Sequence, residues 1–570
     1  MDFRKEIAGL IERGIRDAFA AEPLTQEQIA QALEIPPDPA MGDFAFPCFR
    51  LSKGLRKAPP VIADVLSGCV SAPFLSRVES VKGYLNFFID RATYAREVVE
   101  KALREGDEYG SDHSGAGKTV VMDYSSINIA KRFHIGHLST TMIGHSLKRI
   151  YAFLGWNTVG INHLGDWGTQ FGKMICAYKK WGTPEEVASG GIDELTRLYV
   201  RFHEEAEKDP SLEDEGRAWF KKIESGDPEA MEIFTRFKEM TLKDAARVYD
   251  LLGVSFDSYA GESFYVDKTA AVVDDLRAQG LLVQSEGAWV VDLSEDHMPP
   301  CLILKKDGAT IYATRDLAAA RYRQDTYHFD KCLYVVAYQQ DLHFRQVFRV
   351  LEKMGYPWAK NCVHVAFGMI SFDGEALSTR KGNVVHLDDL LNLAIEKARE
   401  IIQEKSPNLE DPDTVARQVG IGAVIYTDLS NNRIKDIDFR WDRALNFDGE
   451  SGPYVQYTHA RCCSLLRKAE PLNLPAPDWS ALTDDEAQAL LRLMSRFPDT
   501  VREAAAKYEP SMITRFVTDV AQAYNKYYYE HRILEGDPAA MSARVALTGA
   551  VKNLLKTGLW LIGIESPERM

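Results

Sequence analysis

Near residue 120, an apolar run is followed by a polar turn and then by a long stretch with helical spacing of apolar residues. Thr119 to Met122 have the character of a buried strand, and apolar side chains recur at helical spacing from Leu138 to Leu154 until Gly155 ends the pattern. The segment Asp123 to Leu138, DYSSINIAKRFHIGHL, joins the two elements. The pattern predicts a strand, a turn and a helix, which is the unit of a parallel sheet.

Further apolar runs predict that this unit is repeated. A second strand is predicted at Thr158 to Asn162, and later runs begin at Cys301, Cys332 and Cys362. Strands and helices that alternate in two halves predict a Rossmann-like α/β core with a doubly wound parallel sheet, whose ligands bind at the carboxyl ends of the strands. Beyond Leu387 the pattern is helical and predicts no further strand.

The rest of the chain separates into blocks of different pattern. An α+β unit precedes the core, a charged helical pattern interrupts it, and a helical bundle follows it. The predicted blocks are an amino-terminal domain at 1–110, the α/β core at 115–385 with insertions near 179–251 and 255–298, a helical stem at 386–450 and an all-helical domain at 451–570.

Composition narrows the class of protein. A chain of 570 residues is too long for one core, and 45% apolar and 26% charged residues are ordinary for a soluble protein. The start, MDFRKEIAGL, has the pattern of an amphipathic helix and not of a signal peptide, so a cytoplasmic location is expected. The eight cysteines form no C-x-x-C pair, which disfavours a zinc ribbon or a disulfide framework. The net charge of -15 argues against nonspecific coating of nucleic acid but permits a local basic surface.

The turn after the first strand contains groups that bind phosphate. A helix amino terminus offers free backbone N–H groups and a partial positive charge. His134 and His137 are three residues apart and can face one anion, while Gly136 leaves room for a flat ring. Lys131 and Arg132 add two cations. The glycine-rich loop of a P-loop protein and the G-x-G-x-x-G pattern are both absent from the sequence, so other groups must bind the phosphates.

A second polar segment, FDGEALSTRKGN from Phe372 to Asn383, follows the last predicted strand. Its hydroxyls, Ser378 and Thr379, stand beside the cations Arg380 and Lys381 and could close over phosphates. Taken alone, an exposed turn is the simpler interpretation of this segment. A pair of helical histidines alone is likewise typical of a structural pair or half of a zinc site.

The two segments together resemble the signatures of class I aminoacyl-tRNA synthetases, H-I-G-H at His134 to His137 and L-S-T-R-K at Leu377 to Lys381. The blocks SSINIAKRFHIGHLST, HLGDWGTQFG, IYATRDLAAA, VVAYQQDLHF and SGPYVQYTHAR resemble arginyl-tRNA synthetases in order and spacing. GDFAFPCFRLSK and GYLNFF resemble that family's additional amino-terminal domain, which contacts tRNA. The resemblance runs the whole length. It implies an arginine–tRNA ligase that uses ATP to form arginyl-adenylate and then charges the 3′ end of tRNA, releasing AMP and pyrophosphate.

The resemblance also implies two sets of site residues. The expected ATP-binding residues are His134, Gly136, His137, Met369, Leu377, Ser378, Thr379 and Arg380. The expected arginine-binding residues are Asp123, Ser125, Asn128, His137, Tyr312, Asp316 and Gln340. Asp316 is the first choice for the guanidinium and Asp123 the second, although many members carry glutamate there. The register of Gln339 against Gln340 stays open, and without the resemblance Asp316 is also typical of a surface acid or a helix-dipole partner.

The loop departs from the class pattern K-M-S-K-S. Position 376 is alanine, position 379 is threonine, and a lysine appears only at Lys381. In the enzymes that this chain resembles, a lysine just before the histidine motif supplies the missing charge, and Lys131 occupies that place. The expected catalytic residues are therefore Lys131, His134, His137, Ser378 and Lys381.

The expected partners follow from the same resemblance. They are arginine tRNA, L-arginine, and ATP that carries Mg²⁺ as part of the substrate; no tightly bound cofactor, structural metal or membrane is expected, and the chain is expected to act as a monomer. The carboxyl bundle would bind the anticodon, and SGPYVQYTHAR would either offer stacking surfaces or pack on the catalytic domain. A requirement for tRNA during activation is implied by the resemblance alone.

Three alternatives compete with this interpretation. Another class I synthetase or a small H-x-G-H nucleotidyltransferase should lack the YATRD block and the basic amino-terminal unit, and the latter should also lack a helical carboxyl domain. A catalytically inactive homologue that only binds tRNA is disfavoured by intact His134, Gly136 and His137.

Overall fold

The chain begins with mixed helices and strands, alternates the two through its middle and ends in helices. The computed structural model describes residues 1–372, 375–376 and 385–570. Its strands are β1 (Phe44–Pro47), β2 (Leu75–Val81), β3 (Tyr84–Ile89), β4 (Thr119–Asp123), β5 (Asn157–Ile161), β6 (Leu282–Ser285), β7 (Ala288–Val291), β8 (Cys301–Leu304), β9 (Lys331–Ala337), β10 (Cys362–Phe367), β11 (Ile370–Phe372), β12 (Glu375–Ala376) and β13 (Ile437–Phe439).

The α-helices of the described residues are numbered in the same way. They are α1 (Phe3–Phe19), α2 (Gln26–Ala32), α3 (Phe49–Leu55), α4 (Pro59–Cys69), α5 (Arg91–Glu105), α6 (Leu138–Phe153), α7 (Thr169–Trp181), α8 (Pro184–Lys208), α9 (Ser211–Glu224), α10 (Pro228–Leu252), α11 (Thr269–Ala278), α12 (Tyr312–Tyr327), α13 (Asp341–Lys353), α14 (Leu387–Lys405), α15 (Pro412–Leu429), α16 (Trp441–Ala444), α17 (Gly452–Ala469), α18 (Asp485–Ser495), α19 (Phe497–Lys507), α20 (Ser511–Glu530) and α21 (Pro538–Leu561). The described helices include none that is both long and apolar enough to cross a bilayer.

Two compact units divide the chain. One comprises residues 1–109, 462–496 and 522–554, and the other comprises 110–461, 497–521 and 555–570. In the first unit, β1, β3 and β2 form an antiparallel sheet in that order.

A four-stranded parallel sheet forms the centre of the second unit. Its order is β10-β9-β4-β5, so β4 is paired on both sides. Val120, Val121 and Met122 of β4 are fully buried, as expected for a strand covered on both faces. The predicted strand and the helix that follows it, α6, are confirmed, and β5 lies one residue earlier than predicted.

The apolar run at Cys301 does not join this sheet, so its prediction as a parallel strand is wrong. β8 pairs antiparallel with β7, which pairs antiparallel with β6. The two residues between β6 and β7, Glu286 and Gly287, both have positive φ, as a tight hairpin turn requires. β8 therefore belongs to a local antiparallel sheet and does not pair with β9.

The prediction that no strand follows Leu387 is also wrong. β13 pairs in parallel with β11, and β12 pairs antiparallel with the other edge of β11. β13 has three residues and is too short to produce a recognisable apolar pattern. Its position is decided by the backbone of β11, which lies far away in sequence.

The charged pattern between 179 and 251 forms the helices α8, α9 and α10, as predicted. α7 leads into this region and lies close to α9. A Cβ on Gly172 of α7 would come within 2.0 Å of the carbonyl oxygen of Gly216 in α9. The three glycines of HLGDWGTQFG predict a segment that lies close to a ligand or to another backbone, and Gly172 lies against a backbone.

The sequence predicts amphipathic helices at Tyr454 to Ala469, Asp485 to Phe497 and Met541 to Leu561, and the carboxyl-terminal helices α17, α18 and α21 correspond to them. The side chain of Gln456 in α17 is fully buried and donates a hydrogen bond to the carbonyl of Gln418 in α15, at 3.0 Å. Gln456 of the segment SGPYVQYTHAR therefore packs on α15, which lies in the predicted stem, and both stacking surfaces and packing on the catalytic domain stay predictions.

Candidate active site

Polar side chains follow three neighbouring strands of the parallel sheet. Asp123 is the last residue of β4, His163 lies two residues after β5, and the turn Tyr338–Gln340 follows β9 directly. Because the carboxyl ends of parallel strands meet at one edge, these side chains share one edge of the sheet. That edge is where a ligand of such a sheet binds.

The turn after Asp123 has an unusual backbone that its neighbours stabilise. Ser125, Ser126 and Ala130 have φ values of 70°, 48° and 62°, although none is glycine. The N–H of Ser125 donates to Thr140 Oγ1 at 3.1 Å, and the N–H of Ala130 donates to Thr241 Oγ1 at 3.0 Å. Such strain is typical of functional sites, and here hydrogen bonds that the turn donates to α6 and α10 support it.

The two motif histidines lie against each other. The N–H of Gly136 donates to His134 Nδ1 at 3.1 Å, the N–H of His134 donates to His137 Nδ1 at 3.3 Å, and the two ring centres are 3.9 Å apart. Because each Nδ1 accepts a hydrogen bond, each Nε2 carries the proton of the neutral ring. Both rings can therefore donate one hydrogen bond to a ligand.

Both histidines are neutral at physiological pH. Burial lowers the pKa of His134 to about 4, assisted by the positive charges of Lys131 and His386. Burial also lowers the pKa of His137 to about 3, and the charges of His134 and Lys131 act in the same direction. The rings consequently offer N–H dipoles to a phosphate rather than full positive charges.

Gly136 is required by the position of the first ring. A Cβ at this residue would come within 2.9 Å of both Cε1 and Nδ1 of His134. Any larger residue would displace the ring that accepts the Gly136 N–H.

The chain that follows the predicted phosphate loop pairs with the histidine motif. The N–H of Ile135 donates to the carbonyl of Val385, and the N–H of Leu387 donates to the carbonyl of Phe133, both at 3.0 Å. These bonds form an antiparallel bridge between His134 and His386. The predicted loop residues themselves, Leu377, Ser378, Thr379, Arg380 and Lys381, lie outside the described residues.

The two cations before the histidine motif have different surroundings. Arg132 Nη2 donates to both carboxylate oxygens of Asp388, at 3.0 and 2.8 Å, and is thereby committed to the start of α14. Lys131 is exposed, with its Nζ 5.6 Å from the centre of the Tyr199 ring. Its charge also reaches both motif histidines, since it lowers the pKa of each.

Asp123 binds a guanidinium that belongs to the protein. Arg323 Nη2 donates to Asp123 Oδ2 at 2.7 Å, and Ser126 Oγ donates to Asp123 Oδ1 at 2.8 Å. The side chain of Arg323 is 1% exposed. Sequence reasoning missed Arg323, which lies in the otherwise alanine-rich buried face of α12 and far along the chain from Asp123.

Asp316 has a different partner. Its Oδ2 is 2.6 Å from His343 Nε2, and about a fifth of its side chain is exposed. Burial raises the pKa of Asp316, but the hydrogen bond and charge of His343, with the charges of His163 and Arg323, outweigh burial and lower the pKa below its ordinary range. Asp316 is therefore ionised. Tyr312, four residues earlier on α12 and hence on the same face, is 66% exposed.

Two further acids near Asp316 are paired with protein cations. Arg315 Nε donates to Glu262 Oε2 at 3.0 Å, and Arg315 Nη2 lies 3.0 Å from the same oxygen. Lys238 Nζ donates to Asp166 Oδ2 at 2.5 Å, and the hydroxyl of Ser263 binds the same oxygen at 2.6 Å. A buried carboxylate is costly without such a partner, so these two charges are already compensated.

The remaining predicted residues lie at the same sheet edge or beyond its end strand. Asn128 is exposed, and a Cβ on Gly165 would come within 2.3 Å of its Oδ1, so this glycine gives the amide its space. The hydroxyl of Ser125 is buried and bonded to Tyr249 at 2.8 Å. Gln340 is exposed at the start of α13, and Met369 is 41% exposed just before β11.

Side chains arranged to hold a metal are absent from this edge among the described residues. The group of three that the described chain offers, Asp484, Glu486 and His531, belongs to the carboxyl-terminal helices.

Comparison with protein-family models gives three matches. The model described as tRNA synthetases class I (R), catalytic domain, matches residues 98–441. The Arginyl tRNA synthetase N terminal domain matches 5–89, and the DALR anticodon binding domain matches 455–570.

Similar proteins cover the full chain. Proteins named arginine–tRNA ligase from Alkaliphilus metalliredigens and Clostridium perfringens are 51% and 52% identical, with 100% of each chain covered. The solved arginyl-tRNA synthetase of Thermus thermophilus is 26% identical, with a TM-score of 0.81 and 100% of both chains covered. The solved Plasmodium falciparum enzyme, at 23% identity and a TM-score of 0.79 over 99% of each chain, shares the fold.

Replacing His137 with asparagine should reduce the loss of stability on acidification. The folded-state pKa of about 3 lies below the ordinary 6.5, so between these values the unfolded chain binds the proton and stability falls as pH falls. From pH 6.5 to 5 this histidine should account for up to about 2 kcal/mol. Urea unfolding at several pH values measures the effect, with His328→Asn at the end of α12 as a control. Parallel curves for His137→Asn and the wild type would contradict a His137 that stays neutral in the folded protein.

Proposed function

The chain belongs to the arginyl-tRNA synthetase family of class I tRNA synthetases and has the activity of an arginine–tRNA ligase, and from this premise we propose which residues carry each step. The enzyme converts L-arginine and ATP to arginyl-adenylate and pyrophosphate, then transfers the arginyl group to the 3′ end of arginine tRNA and releases AMP. The arginine carboxylate is ionised at neutral pH, so its attack on the α-phosphate needs no general base. Catalysis is therefore positioning together with neutralisation of phosphate charge.

The nucleotide is bound by the histidine motif. His134 and His137 donate their Nε2–H groups to the triphosphate, and adenine lies over Gly136, where a side chain would block both the ring and His134. Met369 lies beside the nucleotide. The residues expected to close over pyrophosphate are Leu377, Ser378, Thr379, Arg380 and Lys381. The backbone bridge between His134 and His386 supports this arrangement, since it holds one end of that loop against the motif.

Lys131 supplies the cation of the activation step. The neutral histidines carry no positive charge to offset the charge that develops on the phosphates, and Arg132 is engaged by Asp388. Lys131 is the neighbouring cation whose charge acts on both histidines. Lys131 takes this role because positions 376 and 379 of the loop are alanine and threonine, where the class pattern K-M-S-K-S has lysine.

Asp316 binds the guanidinium of arginine. The observation that carries this assignment is the pairing of charges at the sheet edge. Asp123, Glu262 and Asp166 each have an arginine or lysine of the protein as partner, whereas the described partner of Asp316 is an imidazole. Asp316 is ionised and partly exposed, so an arriving guanidinium can bind its carboxylate.

The other predicted residues complete the arginine site. Tyr312 covers the side chain of arginine, and the arginine α-amino and carboxylate groups bind Asn128, Gln340 and the neutral His137. Ser125 and Asp123 shape the floor, where Asp123 acts through Arg323 as well as through any direct contact. A site built for a planar fork leaves polar groups unpaired when lysine binds, so rejection by ~10⁴ needs no editing domain.

The flanking domains bind tRNA. We assign the amino-terminal domain at 1–110 and the helical domain at 451–570 to tRNA contacts, with the catalytic domain at 115–385, the stem at 386–450 and anticodon binding in the carboxyl-terminal helices. Mg²⁺ enters with ATP, and the enzyme works in the cytoplasm as a monomer. Activation of arginine depends on bound tRNA, which an exchange assay with and without tRNA would test.

Replacing Asp316 with alanine should raise the arginine KM with little change in the ATP KM. Loss of a charged hydrogen bond costs roughly 1.5 to 3 kcal/mol, which corresponds to about 10- to 150-fold. ATP–pyrophosphate exchange at varied arginine concentration measures the change. Asp325→Ala, an exposed acid on the same helix, is the matched control. An arginine KM that stays at the wild-type value in Asp316→Ala would refute the assignment.

Replacing Lys131 with alanine should slow exchange at saturating substrates by about 10- to 150-fold, because one charged contact with the transition state is lost. Lys118→Ala is the matched control. Lys118 is also exposed and also lies over an aromatic ring, with its Nζ 5.3 Å from the centre of the Trp156 ring. It differs from Lys131 in position, because it precedes β4 and therefore lies at the opposite end of that strand. Equal rates for the two variants would remove Lys131 from the mechanism.

A further inference from the structure

The turn after β10 lies against a segment from the predicted stem. Gly368 and Met369 join β10 to β11, and the segment from Arg433 to Asp436 leads into β13. β13 pairs in parallel with β11, so the two segments run side by side although they are far apart in sequence. The turn is therefore held by a part of the chain outside the parallel sheet.

Gly368 allows this close approach. A Cβ on Gly368 would come within 2.3 Å of the carbonyl oxygen of Lys435, which is closer than a side chain can come. The N–H of Gly368 also donates to the carbonyl of Arg433 at 2.8 Å. The backbone of the stem segment thus fixes the first residue of the turn.

Both backbone polar groups of Met369 have partners in or next to the same segment. Its N–H donates to Asp436 Oδ1 at 2.7 Å, and its carbonyl accepts the N–H of Ile437 at 2.8 Å. Because the N–H is occupied, a nucleotide beside Met369 meets its side chain, and Met369 is 41% exposed. A thioether makes favourable contacts with aromatic rings, and adenine is such a ring.

Arg433 connects the same turn to the helices near the carboxyl end. Its Nη1 donates to the carbonyl of Ala366 in β10 at 2.8 Å, and its Nε donates to the carbonyl of Tyr508 at 2.9 Å. Tyr508 lies between α19 and α20, and the next residue, Glu509, accepts the N–H of Arg433 through Oε1 at 3.2 Å. One planar guanidinium therefore bridges two carbonyls from distant parts of the chain.

We propose that Asp436 and Arg433 are positioning residues for ATP, which fix the turn at Gly368 and Met369 so that the Met369 side chain lies against adenine. The inference rests on the proposed placement of Met369 beside the nucleotide. Asp436 acts through the Met369 N–H, and Arg433 acts through the carbonyl of Ala366 and the N–H of Gly368. ATP binding depends on both residues, whereas arginine binding, which is proposed to use other strand ends and α12, does not.

Replacing Asp436 with alanine tests the proposal. The ATP KM should rise by about 5- to 30-fold, because a hydrogen bond to a charged group is lost, while the arginine KM should stay within about twofold of the wild type. ATP–pyrophosphate exchange in the presence of tRNA measures both constants, each with the other substrate saturating. Lys435→Ala is the matched control, since Lys435 is an exposed neighbour that meets Gly368 through its backbone, and it should leave both constants unchanged.

Two conservative variants separate positioning from a general loss of folding. Asp436→Asn keeps an oxygen that can accept the Met369 N–H, so its ATP KM should stay within about threefold of the wild type. Arg433→Lys keeps the charge but lacks the planar fork that spans two carbonyls, so its ATP KM should rise as it does in Asp436→Ala. A wild-type ATP KM in Arg433→Lys would remove Arg433 from the proposal.

Two results for Asp436→Ala would overturn the proposal. One is a wild-type ATP KM, and the other is an equal rise in the ATP and arginine KM values, which a general loss of structure would produce. Met369→Ala tests the premise separately, and its ATP KM should rise because the contact with adenine is lost. An unchanged ATP KM in Met369→Ala would refute the placement of Met369 and this inference with it. A raised value in Met369→Ala beside a wild-type value in Asp436→Ala would refute the inference alone.

Discussion

Pairing of buried and partly buried carboxylates with protein cations organises the edge of the sheet where we propose that the reaction takes place. A carboxylate removed from water must find a cation or hydrogen-bond donors, and breaking a buried pair costs roughly 3 to 5 kcal/mol. Asp123 with Arg323, Glu262 with Arg315 and Asp166 with Lys238 each join segments that are distant in sequence. These pairs hold the walls of the proposed arginine pocket in place without a substrate.

The same pairing is the basis for proposing which carboxylate binds the substrate. Asp316 lies among these pairs but is bonded to His343, an imidazole that can yield to a stronger partner. A site for a guanidinium needs one carboxylate that is ionised, oriented and incompletely compensated, and Asp316 meets each condition. The proposed nucleotide site uses neutral groups instead of a charged one. Burial keeps His134 and His137 neutral, and both are oriented as N–H donors. The positive charge that offsets the phosphates is therefore proposed to come from Lys131, which lies beside the histidine motif.

The sequence predicts those parts of the enzyme that local pattern determines. The apolar run of β4, the spacing of α6 and the three carboxyl-terminal helices are confirmed because periodicity reports burial. The sequence does not predict how β8 and β13 pair. These strands have four and three residues, so neighbouring backbone and not their own apolar pattern decides which strand they pair with. In the site, the pattern indicates His134, Gly136 and His137, whereas Arg323 and Glu262 give no local signal. They pair with residues 200 and 53 positions away, and such partners appear only when the chain is folded.

Discrimination between arginine and citrulline tests the central claim most directly. Citrulline has nearly the shape of arginine but carries a neutral urea in place of the guanidinium, so the two differ mainly in the charge presented to Asp316. The measurement is the ratio of kcat/KM for arginine over citrulline in pyrophosphate exchange, for the wild type and Asp316→Asn. The account predicts a large ratio in the wild type that falls by about 10- to 150-fold in the variant, because the charged contact is lost for arginine alone. A ratio that is the same in both proteins would contradict it and would place the recognition of charge elsewhere in the site.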